Sequence, residues 1–332
     1  MLPANTSTGT RKAVVVEAHG GPDVLRIAEV PAPPPRPGEV SVKVTHVALN
    51  HLDLWVRRGV PGHDFHLPHV PGSDVAGLAD GRPVALHPSW GCGACALCLA
   101  GRQNRCRDFS LRGENVDGGM ATEVVAPRWQ LLPVPAHLSL AEAAALPLTL
   151  LTAWHMLVVR AQLQRGEKVL VQAGGSGVGV MAVQIARLFG CEVHATASTE
   201  ARRTRLAELG ATPWPYEKIG AKGFDVVVES VGGPTWEASV RALSWGGRLV
   251  ICGATGGPEA PMNLRALFFK QLSVLGSTMG TSADMLAAWR EVEAGRIRPI
   301  VDRVMPMSRV GEAHGVLERR EAFGKVVLEN DL

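Results

Sequence analysis

The chain has 332 residues, of which 46% are hydrophobic and 20% charged, with a formal net charge of +3. That length exceeds one ordinary core and suits two domains, and the composition is that of a folded globular protein without a large disordered arm. Lysines and arginines are scattered among acids with no aromatic-interleaved basic stripe, so nucleic acid is not an expected partner.

Met1 to Thr10 is polar, contains Pro3 and Gly9, and lacks the apolar run of a secretory signal, which points to a cytoplasmic protein. Valine-rich runs that alternate with polar residues follow, from Lys12 to Val30 and from Glu39 to Leu49, separated by a proline-dense turn from Pro31 to Pro37. Pro83 to Leu86 and Ala121 to Ala126, the latter preceded by Gly118-Gly119, read as further strands of a β-barrel-like first domain. Leu138 to Val159 is the most apolar stretch, yet Glu142, Pro147 and His155 are costly in lipid, so it is expected as buried core, not a membrane span. Within it, Ser139 followed by Glu142 is a capping box at the head of a helix that Pro147 should interrupt.

Beyond residue 165 strand and helix alternate. Strands are expected over Lys168 to Gln172, Glu192 to Ala195, Asp225 to Glu229 and Gly247 to Cys252, with helices over Val178 to Phe189, Glu200 to Leu209 and Trp236 to Leu243. Such alternation predicts a doubly wound parallel sheet. From about Met285 the tail should add a helix, a segment around Met305-Pro306, another helix and a strand Lys325 to Glu329, folding back onto the first domain.

Two motifs carry chemistry. Cys92, Cys95, Cys98 and Cys106 stand at C-x2-C-x2-C-x7-C in a reducing compartment where disulfides do not persist. Four soft ligands so spaced suit one tetrahedral zinc, structural because the protein fills its coordination sphere; the ferredoxin spacing that closes with x3 and proline is absent. Cys191 and Cys252 beside predicted strands read as small buried hydrophobes. The second motif is Gly174-Gly175-Ser176-Gly177-Val178-Gly179 between a short apolar strand and a helix, where glycines permit positive φ and close approach, and a helix N-terminus receives a pyrophosphate. Ser176 interrupts the literal G-x-G-x-x-G. At the tip of the next strand Ser198 and Thr199 are followed by Arg202 and Arg203, which favour NADP, while Glu200 is the residue that would favour NAD.

The combination of these motifs with Leu49-Asn50-His51-Leu52-Asp53, Pro71-Gly72-Ser73-Asp74, Leu148-Thr149 through Trp154 and Gly276-Ser277-Thr278 resembles the medium-chain, zinc-type alcohol dehydrogenase and quinone oxidoreductase superfamily over nearly the whole chain. The resemblance implies a GroES-like barrel domain over 1–145 and 285–332 with its zinc lobe at 91–107, and a Rossmann domain over 146–284. The positions that hold the catalytic zinc in the zinc-dependent alcohol dehydrogenases fall on Asn50, Ser73 and Leu148, none a good ligand, with Asp53 and Asp74 nearby. His46, His51, His63, His66 and His69 could recruit a metal instead, or be plain rim residues.

By resemblance, Val231, Gly232, Gly253, Ser277 and Thr278 lie along the path to the nicotinamide, Phe323, Gly324 and Lys325 approach from the other side, and Tyr216 packs by the adenosine phosphate. Asn50, His51 and Asp53 are the candidate catalytic group: an amide donor, a proton source, and an orienting acid. Three functions stay open: an NADPH-dependent reductase of quinones or conjugated carbonyls with one structural zinc and no catalytic metal, an alcohol dehydrogenase with unorthodox zinc ligands, and a cofactor-binding protein without turnover. A homodimer or homotetramer is implied.

Overall fold

The computed structural model describes residues 9–32, 34–216 and 223–332, and packing divides the chain into two units, Met1–Leu148 with Pro299–Leu332, and Thr149–Arg298. The second break falls later than the residue 284 read from the sequence. The reason is the helix Ser282–Glu293, which buries Met285, Ala288, Trp289 and Val292 and whose Asp284 meets His155 Nδ1 at 2.8 Å within the second unit.

The second unit is a six-stranded parallel sheet ordered Thr212–Trp214, Glu192–Thr196, Lys168–Val171, Phe224–Glu229, Leu243–Ile251, Ser273–Gly276. In chain order this is 3-2-1-4-5-6, whose direction reverses between Lys168–Val171 and Phe224–Glu229, the crevice where doubly wound sheets bind dinucleotides. Near-continuous valine and leucine in the inner strands fit burial on both faces. Thr212–Trp214 escapes the sequence pattern because it is three residues long and carries Pro213, which an edge strand tolerates. The helix Gly177–Leu188 follows the first of these strands, capped by Ser176 Oγ, which accepts from the Gly179 amide at 3.0 Å.

The first unit is built on a seven-stranded sheet in which Val301–Pro306, Lys325–Glu329, Glu39–Ala48, Asp74–Ala79, Arg82–Leu86 and Leu131–Pro133 follow one another, with Glu123–Pro127 also pairing Glu39–Ala48. Its inward valines, alanines and leucines form one cluster, joined by Met307, Val310, Ala313 and Val316 of the tail. Asp80 and Gly81, at φ 49° and 74°, make the two-residue hairpin between Asp74–Ala79 and Arg82–Leu86, as a right-twisted antiparallel pair requires. Pro147 opens the helix Pro147–Trp154 and does not interrupt one, because its fixed φ suits a first helical turn. The run continues as a π-helix over His155–Arg160, and no helix among the described residues is long and apolar enough to cross a membrane.

A helix not read from the sequence, His51–Arg58, follows the strand Glu39–Ala48. Its last turn is held by Arg57, which is 1% exposed. Arg57 donates Nε to Gly20 O at 3.2 Å, faces His314 Nδ1 at 3.4 Å, and donates Nη2 to Glu318 on the helix Val310–Glu318. Truncation leaves the Gly20 carbonyl without this donor and empties a buried volume, while Glu318, 21% exposed, keeps Arg58 Nη2 at 2.6 Å. Arg57→Ala should therefore cost about 1–3 kcal/mol, read as a fall in the urea midpoint at unchanged slope; a loss under about 0.5 kcal/mol would mark the contacts as solvated.

Candidate active site and metal centre

The glycine-rich turn at 174–179, the candidate dinucleotide site, is fixed from below. Gly174 N donates to Thr196 O at 2.9 Å, Ala173 N to Thr196 Oγ1 at 2.9 Å, and Ser176 N to Ala173 O at 2.9 Å. Among the described residues the left-handed position of this turn is Ala173, at φ 49°, not a glycine. The glycines answer to contact instead: a Cβ on Gly174 would stand 2.7 Å from Ala195 Cβ, and one on Gly179 would stand 2.4 Å from Ala173 O. They let the helix N-terminus press against strand and turn, the placement an anionic pyrophosphate uses.

Of the other cofactor candidates, Thr199 is the N-cap of Glu200–Glu208 and accepts from Arg202 N at 3.3 Å. Arg202 Nη1 reaches Ser198 Oγ at 3.4 Å, and Arg203 donates to Glu200 Oε2 at 2.8 and 3.0 Å. Tyr216 packs beside the apolar cluster of Leu170, Phe224 and Val227. Val231 N donates to Glu229 Oε1 at 2.7 Å, Gly253 is half-buried, Thr278 is exposed, and Ser277 carries a buried hydroxyl without a hydrogen-bond partner among the described residues.

The four cysteines converge. Their sulfurs lie within 4.8 Å of one another, with Cys92 Sγ 4.0 Å from Cys98 Sγ and Cys95 Sγ 3.7 Å from Cys106 Sγ. Bonds of about 2.3 Å to a tetrahedral zinc imply edges near 3.8 Å, so this set fits the ion. Backbone amides of Cys92 and Cys95 point at Cys106 and Cys92 sulfurs, both at 3.4 Å. Gly91 makes room, since its Cβ would stand 2.6 Å from Cys98 Sγ. The rim histidines disperse: His63 faces Glu114 at 3.8 Å, His69 faces Asp117 at 3.6 Å, and His46 meets Thr45 Oγ1 at 3.1 Å.

The candidate catalytic residues meet others that the sequence left unranked. Asn50 caps His51–Arg58, and Asp53 closes the capping box by accepting Asn50 N at 2.7 Å with one oxygen and Gly72 N at 3.0 Å with the other. Asn50 Nδ2 donates to Asp74 Oδ2 at 2.9 Å, and Leu148 N donates to Asp74 Oδ1 at 2.6 Å. Lys325, expected among the cofactor-binding residues and approaching from the other side, turns its ammonium into this cluster, donating to Asn50 Oδ1 at 2.6 Å and to Asp74 Oδ2 at 2.9 Å. The strand register brings it there, because Leu49 N binds Val326 O at 2.9 Å and Val327 pairs with Ala48. Asn50, Asp53, Ser73, Asp74 and Lys325 are all buried.

Residues 36–136 match the alcohol dehydrogenase GroES-like domain and residues 177–294 match the zinc-binding dehydrogenase family. The quinone oxidoreductase of Lama guanicoe is 30% identical over 97% of this chain and 99% of its own length. The chain belongs to the medium-chain dehydrogenase/reductase superfamily. Among solved structures, an NAD-dependent alcohol dehydrogenase shares 42% identity at a TM-score of 0.91, covering 96% of this chain and 99% of that one. A cobalt- and zinc-bound thermostable alcohol dehydrogenase from Pyrobaculum aerophilum shares 34% at 0.89, covering 97% and 100%. The protein is thus an NAD(P)-dependent oxidoreductase of this superfamily, like both the alcohol dehydrogenases and the quinone oxidoreductases.

Burial shapes the proton chemistry of this medium-chain dehydrogenase. Complete burial, reinforced by Asp74, raises Asp53 from the ordinary carboxylate value to about 7, against the pull of the Asn50 and Gly72 amides and of Lys325. His51 is pushed down by burial first and then by Arg320, Lys325 and Arg58, which keeps its imidazole neutral at pH 7. A carboxyl raised in the fold favours the folded state when protonated. Its contribution is therefore most favourable below about pH 4 and is lost as pH rises to about 7, at up to about 1.4 kcal/mol per pH unit. Buried histidines with lowered values act with the opposite sign, so a difference is needed. The unfolding free energy of the wild type minus that of Asp53→Asn, from urea titrations at pH 5, 6 and 7, should fall with pH; a flat difference would mean Asp53 stays ionised throughout.

Proposed function

We propose that this chain is an NADPH-dependent reductase of conjugated carbonyls or quinones that works with a lysine ammonium where its zinc-dependent relatives place a catalytic metal. The observation that carries the reading is Lys325 Nζ, held between Asn50 Oδ1 and Asp74 Oδ2, with Asp74 also taking the Leu148 amide. Asn50, Ser73 and Leu148 are the three positions that resemblance assigns to metal ligands. An amide, a hydroxyl and an alkyl chain at those positions do not fit a tetrahedral zinc, which wants three deprotonated or imidazole ligands.

NADPH, when bound, would supply a hydride to a carbon conjugated with the carbonyl, which leaves the chain's residues to stabilise negative charge on the carbonyl oxygen. Asn50 is polarised by Lys325 on its oxygen and fixed by Asp74 through one N–H; the other N–H, a long 3.4 Å from Ala48 O, is the donor proposed for the developing oxyanion. Neutral His51 is proposed to relay the proton that completes the reduction: one ring nitrogen gives its proton as the other takes one from water, so no imidazolate is left. Asp53 positions the pair by tying the helix start to Gly72. An internal hydrogen-bond donor is weaker than a divalent Lewis acid, so a substrate whose charge delocalises suits this site better than a simple alkoxide.

The alcohol dehydrogenase reading is favoured by the names of its solved relatives, and zinc content decides between the two. Protein purified without added metal should hold one zinc per chain and oxidise NADPH with an enone or a benzoquinone at a rate that brief chelator treatment leaves unchanged. Two zincs per chain, with alcohol oxidation that chelation abolishes, would overturn the reading. For the cofactor, Ser198, Arg202 and Arg203 are proposed to meet the 2′-phosphate. Removing one charge-assisted contact costs about 1.5–3 kcal/mol, so Arg202→Ala should raise KM for NADPH about tenfold or more and leave that for NADH nearly unchanged; equal effects on both would assign the site to NADH.

A further inference from the structure

A continuous chain of buried hydrogen bonds runs beneath the dinucleotide turn, across the C-terminal ends of three adjacent parallel strands, and ends on Glu229. The Ala173 amide donates to Thr196 Oγ1 at 2.9 Å, and the Thr196 hydroxyl donates to Gln172 Oε1 at 2.9 Å. Gln172 Nε2 then donates to Ser239 Oγ at 2.8 Å, whose proton goes to Glu229 Oε2 at 2.7 Å. Gln172, Thr196, Glu229 and Ser239 are each no more than 1% exposed. Glu229 also accepts Thr235 Oγ1 at 3.0 Å, Val231 N at 2.7 Å and Gly232 N at 3.1 Å. No donor in this chain is reversed: a hydroxyl that gives its proton to an acceptor must receive with its lone pairs, so the acceptor-only carboxylate sets the direction of every bond back to Ala173.

The start of the relay coincides with a backbone that needs holding. Ala173 is in the left-handed region, which costs an L-residue about 1 kcal/mol or more, and its amide is the one that Thr196 takes. We propose that Glu229 is a positioning residue for cofactor binding: through Ser239, Gln172 and Thr196 it locks the Ala173 turn in the shape that receives the pyrophosphate, and through Val231 and Gly232 it fixes the next strand-end loop. The proposal rests on the NAD(P) dependence of the superfamily and is independent of how the carbonyl is activated. Glu229 touches neither cofactor nor substrate in this role. The ordering of the turn before binding is what it contributes.

The measurement is the dissociation constant of NADPH and of ADP-ribose, a probe with the pyrophosphate but no nicotinamide, for folded wild type and variants well below their melting temperatures. Thr196→Val removes the hydroxyl at constant volume, and Thr196→Ser restores it. Thr196→Val should weaken both ligands about tenfold, the scale of one buried hydrogen bond left unmade, and Thr196→Ser should bind within about twofold of wild type. Ser239→Ala, two bonds further from the turn, should weaken both by a similar factor, and the Thr196→Val/Ser239→Ala double variant should bind no worse than the weaker single. Valine and serine variants that bind alike, or a Ser239→Ala protein that melts earlier yet keeps wild-type constants for both ligands, would reduce the network to packing and overturn the proposal.

Discussion

The ammonium of Lys325, buried against Asp74 and Asn50, is the constraint on which the first unit's chemistry depends. An isolated charge of either sign in such a place costs several kcal/mol, so each of these groups is tolerable only because the others are where they are. The constraint propagates. Asp74 begins the strand Asp74–Ala79 and also takes the Leu148 amide, Asn50 caps the helix His51–Arg58, and Lys325 opens the strand Lys325–Glu329. Four segments far apart in sequence are thereby held to one point, and Asp53 reinforces the join of two of them by binding Gly72, just before Asp74. The far end of the same helix is clasped by Arg57 to Glu318, so the helix that presents His51 is fixed at both ends.

Periodicity and spacing made the parallel sheet, the glycine turn and the four-thiol lobe readable without coordinates, because each is local: alternating apolar segments, a turn of small residues, four sulfurs within fifteen residues. The Lys325–Asp74 pair was not readable. Its partners are 251 residues apart, and only the antiparallel pairing of Lys325–Glu329 with Glu39–Ala48 brings them together. The available signal was the odd ligand set itself. Where three metal positions carry Asn50, Ser73 and Leu148 while Asp74 stays acidic, a buried cation is needed from somewhere, and a lysine at the head of a valine-rich strand was a candidate. The helix His51–Arg58 was hidden for a different reason: eight residues rich in leucine and valine look like strand, and its capping box, Asn50 with Asp53, was read as chemistry before it was read as a cap.

The glycine turn teaches a finer distinction. Of the two reasons the sequence offers for its glycines, positive φ and close approach, the structure shows the second: the left-handed residue is Ala173, while Gly174 and Gly179 are small because Ala195 and the Ala173 carbonyl stand in the way of a Cβ. A motif match therefore identifies a shape without saying which atom enforces it. The enforcement here includes Thr196, which receives both the Ala173 and Gly174 amides, one on its hydroxyl and one on its carbonyl.

On the proposed reading, the two units solve the same electrostatic problem in opposite ways. Beneath the dinucleotide turn, a buried anion, Glu229, orients donors away from the cofactor and leaves the helix N-terminus to meet the phosphates. In the first unit a buried cation, Lys325, polarises an amide toward the reacting oxygen. A divalent metal at that point would bind the oxygen directly and stabilise a localised alkoxide. An ammonium acting through Asn50 offers one strengthened hydrogen bond and has no exchangeable ligands. The consequence is a trade of Lewis acidity for permanence: the site loses power over unactivated alcohols, keeps enough for carbonyls whose charge spreads over a conjugated system, and does not depend on metal supply beyond the one ion that suits the cysteine lobe.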